Sequence, residues 1–143
     1  MSRSLTETFR EHLLEQLAYF EKMTSELLRK AYPDTAKKEA IQTLISQYCD
    51  HVHSFLSGTI TGDFDSMAWI GSYVTVVDDM DGSEEKYKLV LPHEIDGDLG
   101  HISFLSPLGS RLLLACKGDR IEVDSPSGSY GVLLSDVSYE LSA

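Results

Sequence analysis

The sequence predicts an α+β protein: an N-terminal antiparallel helical hairpin of coiled-coil type, then an antiparallel sheet of four or five strands folded over one short helix. Three observations lead there. Apolar residues recur in steps of three and four before residue 58 and alternate in steps of two beyond residue 70. A Pro33-Asp34 pair interrupts the first pattern near its middle. The charge is also uneven: residues 1–58 hold seven Lys/Arg against eight Asp/Glu, whereas residues 59–143 hold five against fifteen.

Ser4 followed by Glu7 has the spacing of a capping box, so a helix is expected from about Leu5. Phe9, Leu13, Leu17, Phe20, Met23 and Leu27 then line one helical face. Tyr32 precedes Pro33 and is disfavoured in the α region, which ends this helix. Asp34 or Thr35 can cap a second helix, in which Ile41, Ile45, Tyr48, Val52 and Phe55 form a heptad seam before Ser57-Gly58 stops it. Two narrow apolar stripes of matching length joined by a short turn fold back on each other, with arms about 35 to 40 Å long. The domain boundaries read from this are 1–58 for the hairpin, 59–69 for a polar linker and 70–143 for the second domain.

In the second domain, 73–77 and 86–91 are strand-like and the turn between them carries Asp81-Gly82, a tight-hairpin signal. Another short strand is expected at 102–104. Ser106 as cap and Pro107 at the first position open a helix running to about Cys116, where Lys117-Gly118 ends it. Strands at 120–124 and 131–141 flank the turn Pro126-Ser127-Gly128.

With 42% apolar residues the chain can bury a core without staples. It has no apolar run of membrane-spanning length and too charged a start for a secretory segment, so a cytoplasmic protein with no membrane contact is expected. Cys49 and Cys116 read as reduced, buried structural thiols. The acidic second half would repel a phosphate backbone, which argues against autonomous nucleic-acid binding and favours a basic protein surface as partner.

From Ile70 onward the residues resemble the C-terminal domain of the GreA/GreB transcript-cleavage factors of bacteria. Gly71-Ser72-Tyr73-Val74-Thr75-Val76 is similar to that family's first strand, and the acidic hairpin before Tyr87 falls in the matching place. Most specific is Ile102-Ser103-Phe104-Leu105-Ser106-Pro107-Leu108-Gly109-Ser110, followed by Leu112-Leu113, Lys117-Gly118-Asp119 and Ser125-Pro126-Ser127-Gly128. The resemblance implies an FKBP-like fold for this domain and RNA polymerase as the partner. It also implies a hairpin directed into the polymerase secondary channel to modulate elongation. In that family two tip carboxylates spaced Asp-x-x-Glu help to hold a magnesium ion. Here the tip is Pro33, Asp34 and then Lys37, with lysine where the glutamate would stand, and the hairpin is shorter. The expectation is therefore a regulator rather than an enzyme, without efficient transcript cleavage, without a cofactor and without a metal. Ser106, Pro107, Leu108, Gly109 and Leu112 are the expected polymerase contacts.

Two other readings stand beside this one. The chain could be an interaction adaptor with a non-polymerase target, or an FKBP-like prolyl isomerase using the aromatics Trp69, Tyr73, Phe104 and Tyr130. Cys49, Asp50, His51 and His53 have metal-ligand types, but His51 leaves the helical face shared by Cys49 and His53, so a solvated face is expected. Asp79-x-Asp81-Gly82 resembles part of a calcium loop without its closing glutamate and is read as a hairpin turn.

Overall fold

A computed structural model describes residues 5–58 and 66–139, and the capping box expected at Ser4 lies outside them. The chain divides into two compact units, with the boundary between Thr61 and Gly62.

The first unit pairs α1 (Leu5–Lys30) with α2 (Thr35–Leu56). Its seam is the one the periodicity marks: Phe9, Leu13, Phe20 and Leu27 from α1 are buried, as are Ile45, Tyr48, Val52 and Phe55 from α2. Leu17, Met23 and Ile41 lie at its half-buried margins. Phe9 meets Phe55 edge to face with centroids 5.1 Å apart, and Phe20 meets Tyr48 at 6.1 Å, geometries that aromatic quadrupoles favour. One seam position is polar. Gln16 is buried and accepts a hydrogen bond from the Tyr48 hydroxyl, so both polar atoms leave water without losing a partner. Arg10 donates from Nη2 to the Leu56 carbonyl at 2.9 Å, satisfying an acceptor left over at the end of α2.

The second unit is a five-stranded sheet in the order β3-β2-β1-β5-β4, made of β1 (Tyr73–Asp78), β2 (Glu84–Val90), β3 (His101–Ser103), β4 (Arg120–Ser125) and β5 (Gly128–Ser138), with the short helix α3 (Pro107–Leu112) between β3 and β4. Val74 and Val76 of β1, Ile121 and Val123 of β4, and Val132, Leu134 and Val137 of β5 are buried with Phe104 and Leu112. The step from Leu134 to Val137 is three rather than two. A bulge in the β1–β5 register absorbs the extra residue, Ser135, whose hydroxyl donates to the Thr75 carbonyl at 3.2 Å, so the apolar residues stay on the inner face.

Three expectations are corrected. The sheet is mixed: β2 pairs β3 in parallel, while the other three pairings are antiparallel. A parallel pair needs a crossover, and residues 91–100 provide it through two 3₁₀ turns, Pro92–Glu94 and Gly97–Leu99. The helix expected at 106–116 ends at Leu112, because Leu114 adopts a positive φ of 65° and sends the chain back to pair with residues 66–68. Residues 66–69, expected within the linker, are thereby part of the second unit. Ala68 and Trp69 are fully buried, and Lys117 N–H donates to the Ser66 carbonyl at 2.7 Å.

The buried polar pair of the hairpin yields a direct expectation. Tyr48→Phe removes this hydrogen bond from the buried seam and should destabilise the helical unit by about 0.5–1.5 kcal/mol. Urea unfolding followed by helical circular dichroism measures this, and an unchanged midpoint and slope would remove the pair from the account of the seam.

Candidate functional site

Two regions carry exposed chemistry, one in each unit. In the first, α1 ends at Lys30, Ala31 packs inward, and Tyr32, Pro33 and Asp34 form an exposed turn with a cis Tyr32–Pro33 peptide. Asp34 is the N-cap of α2. Its extended backbone (φ −75°, ψ 98°) lets Oδ1 accept from the Lys37 amide at 3.0 Å. Lys37 thus sits at the third helical position, its N–H held by the carboxylate and its side chain exposed beside that of Lys38. Magnesium requires several oxygen ligands in near-octahedral array. One carboxylate already engaged as a cap, with two ammonium groups within a turn of it, does not supply that set. Glu39 lies five residues along α2 and diverges from Asp34.

The second region is a cleft of about 290 Å³ lined by Val76, Asp78, Ser83, Glu85, Tyr87, Leu108, Tyr130 and Val132. Its apolar floor comes from β1 and β5. Asp78 accepts from the amides of Met80 (2.7 Å) and Asp81 (3.3 Å), and Asp81 in turn accepts from the Ser83 amide at 2.8 Å. The bonds from Ser83 hold the exposed Asp81 carboxyl below its ordinary range. Tyr87 donates to Glu85. Burial first, then the hydrogen bond and charge of Glu85, push its phenol up to about 12. None of the lining residues is cationic, so the cleft presents carboxylates and hydroxyls around an aliphatic floor. That chemistry suits a basic or aliphatic protein side chain; it contains no paired nucleophile and base.

Leu108 reaches this cleft because of how α3 starts. Ser106 Oγ accepts from the Gly109 amide at 3.0 Å and donates to the Ser103 carbonyl at 2.8 Å, tying the helix start to the end of β3. Pro107 follows at the first helical position, where its missing N–H costs nothing. A Cβ at Gly109 would overlap the Ser103 carbonyl oxygen, so this position admits little beyond hydrogen. The five expected contact residues therefore separate. Gly109 is buried and Leu112 fully so, which removes both as partner contacts: they hold α3 on the sheet. Ser106 is occupied as a cap, leaving exposed Pro107 and half-buried Leu108 at the surface.

Residues 65–139 match the family described as transcription elongation factor GreA/GreB, C-terminal domain. The chain belongs to the GreA/GreB family. The transcription elongation factor GreA of Dehalococcoides mccartyi is 37% identical over 70 residues, 49% of this chain and 45% of that protein. GreA of Syntrophobacter fumaroxidans is 43% identical over 61 residues, 43% of this chain and 39% of that one. The chain thus spans less than half the length of these relatives. Among solved structures, the transcription elongation factor GreA/GreB from Nitrosomonas europaea covers 55% of this chain and 65% of its own, with 30% identity and a TM-score of 0.48. GreA factor homolog 1 (Gfh1) of Thermus thermophilus covers 90% and 94%, with 23% identity and a TM-score of 0.46.

The GreA/GreB match thus covers the sheet unit and not the helical hairpin. Within that unit the structure accounts for the family-like signature by local physics: a cap, a proline and a glycine demanded by a neighbouring carbonyl. The calcium-like Asp79 serves another purpose. Its Oδ2 accepts from Arg120 Nη2 at 2.6 Å and Nε at 2.9 Å, joining the β1–β2 turn to β4. Sequence reading missed this pair, because nothing local links residues 41 apart. It also missed Glu85, Tyr87 and Tyr130 as cleft walls, although their alternation along β2 and β5 could have placed them on one face. No group of three His, Cys, Asp or Glu side chains able to hold a metal occurs among the described residues, the Cys49–His53 stretch included. Cys49 is half-buried, with its thiol pushed up by burial and then by Asp50, and Cys116 is exposed, so neither is the fully buried thiol expected.

Proposed function

We propose that this GreA/GreB-family chain binds RNA polymerase through its sheet unit. The helical hairpin is then directed toward the secondary channel, and elongation is modulated without efficient transcript cleavage. The observation that carries this reading is the tip. Asp34 is committed to capping α2, and the position three residues on, where a second carboxylate would be needed, holds Lys37. The docking half rests on family membership and on the cleft beside α3, whose acidic rim is complementary to a basic surface. No described helix is long and apolar enough to cross a membrane.

Leu108 is half-buried and lines the cleft, whereas the core beneath α3 is filled by Leu112. Leu108→Asp should leave the domain folded and reduce capture of purified polymerase about tenfold or more, since truncating a central contact commonly costs over 1 kcal/mol. Undiminished capture by the folded variant would place docking elsewhere.

A backtracked elongation complex tests the second half. Adding the protein should leave the RNA at its original length over minutes, while a cleavage-competent factor shortens it. Rapid shortening that disappears with Asp34→Ala, the hairpin still helical, would make Asp34 a direct participant and overturn this reading.

A further inference from the structure

The inner face of the sheet changes character at one end. Pairing sets Glu85 of β2 opposite Val76 of β1, and Val132 of β5 opposite Asp78. Residues directly opposite each other share a face, so both carboxylates stand on the face where Val76 and Val132 are buried. Tyr87 and Tyr130, two residues from Glu85 and Val132 along their strands, share it too. The six residues of α3 leave this end open: Glu85 is exposed, and Asp78, Tyr87 and Tyr130 are half-buried. Inward-pointing charges at an uncovered sheet margin keep it soluble, which explains a carboxylate here. It does not explain two tyrosines beside an aliphatic floor.

The chain supplies these carboxylates with no cation. Neither Asp78 nor Glu85 has a basic side chain within ion-pair distance among the described residues, whereas the neighbouring Asp79 holds Arg120. Lys86 and Lys88 alternate onto the opposite face of β2, where Lys88 Nζ lies 5.2 Å from the centroid of the Tyr73 ring. Asp78 Oδ1 is taken by the Met80 and Asp81 amides and one oxygen of Glu85 by the Tyr87 hydroxyl, so each carboxylate keeps an oxygen for a further donor. Tyr130 stands near enough to Tyr87 to add, after burial and Glu85, to the upward push on its phenol. Two rings and two carboxylates thus border one cavity of about 290 Å³. A guanidinium suits it better than an ammonium. It is planar and weakly hydrated, stacks on a tyrosine face, and donates to a carboxylate through two N–H groups at once. Its aliphatic stem packs on Val76, Val132 and Leu108.

We propose that this cleft is a socket for one arginine side chain of the protein surface on which the sheet unit docks. The occupant's source rests on the docking to polymerase proposed above, and the inserted cation is the specific part of that contact. Glu85 and Asp78 accept from the guanidinium, Tyr130 stacks on it, and the Tyr87 hydroxyl holds Glu85 in place.

The test is an NMR titration of the isotope-labelled full chain with capped peptides Ac-Gly-Xaa-Gly-NH2, in which Xaa is arginine, lysine or citrulline. Citrulline keeps the shape of arginine without its charge. The arginine peptide is expected to shift the Glu85, Tyr87, Leu108 and Tyr130 signals saturably, with a Kd of about 1–10 mM at low salt, the range open to a single side chain. Lysine should bind about threefold more weakly and citrulline about tenfold or more. Glu85→Gln, at an exposed position, should weaken the arginine peptide about fivefold, and Tyr130→Leu about threefold, with the rest of the spectrum intact. Lysine or citrulline binding as tightly as arginine would overturn the assignment to a guanidinium. No saturable shift up to about 50 mM peptide, or arginine binding unchanged in the folded Glu85→Gln variant, would overturn the socket itself. Capture of polymerase by a chain that ignores the arginine peptide would sink the socket and leave docking standing, whereas peptide binding without capture would remove polymerase and keep the socket.

Discussion

The helical hairpin closes because the chain leaves helical geometry after Lys30 and re-enters it at Thr35, and the re-entry is held by the Asp34 carboxylate accepting from the Lys37 amide. A helix start leaves several amides without intrahelical acceptors, and an exposed turn has few groups with which to satisfy them. Asp34 is the side chain placed to do so. The turn aligns the arms so that Phe9 meets Phe55 and Gln16 meets Tyr48, pairs that require one antiparallel register. The same commitment limits what the tip can do chemically. A carboxylate that caps a helix, with lysines three and four residues on instead of a second carboxylate, is poorly placed to hold a divalent cation.

In the sheet unit a comparable economy operates at the start of α3. Ser106 bonds both to the helix and to the strand before it, Pro107 sets the first turn, and Gly109 lets the helix approach the Ser103 carbonyl. Leu112 then fills the core and Leu108 faces the cleft. A signature that marks the family is thus largely a requirement of folding, and only part of it lies where a partner could touch it. Gly71 follows the same logic. Its φ of +103° strains any residue with a side chain, and a Cβ there would come within 2.7 Å of the Tyr139 hydroxyl, which would have to shift.

What could be read from the sequence was what is local. Seam residues recur within a turn of one another, caps lie three residues from the amides they satisfy, and the Asp-Gly and Ser-Pro-Ser-Gly turns announce themselves. The parallel β2–β3 pairing could not be read, because a three-residue strand has the same alternation in either direction. Gln16 was hidden because its partner, Tyr48, is 32 residues away. The end of α3 was misplaced because Leu114 is an ordinary helix former, and the bonds of this stretch to residues 66–68 that accompany its left-handed geometry are distant in sequence. At the candidate sites, the tip residues were visible as a motif and its departure. The cleft, assembled from β1, β2, β5 and α3, was not.

The commitment of Asp34 to the cap can be measured directly. Comparing Asp34→Ala with Asp34→Asn by urea unfolding in the full chain, with and without millimolar magnesium, separates a cap from a ligand. The cap account predicts that alanine costs about 0.5–2 kcal/mol of helical-unit stability, that asparagine restores most of it, and that magnesium changes neither result. Equal stability of all three proteins, or a magnesium-dependent stabilisation that requires the aspartate, would contradict it.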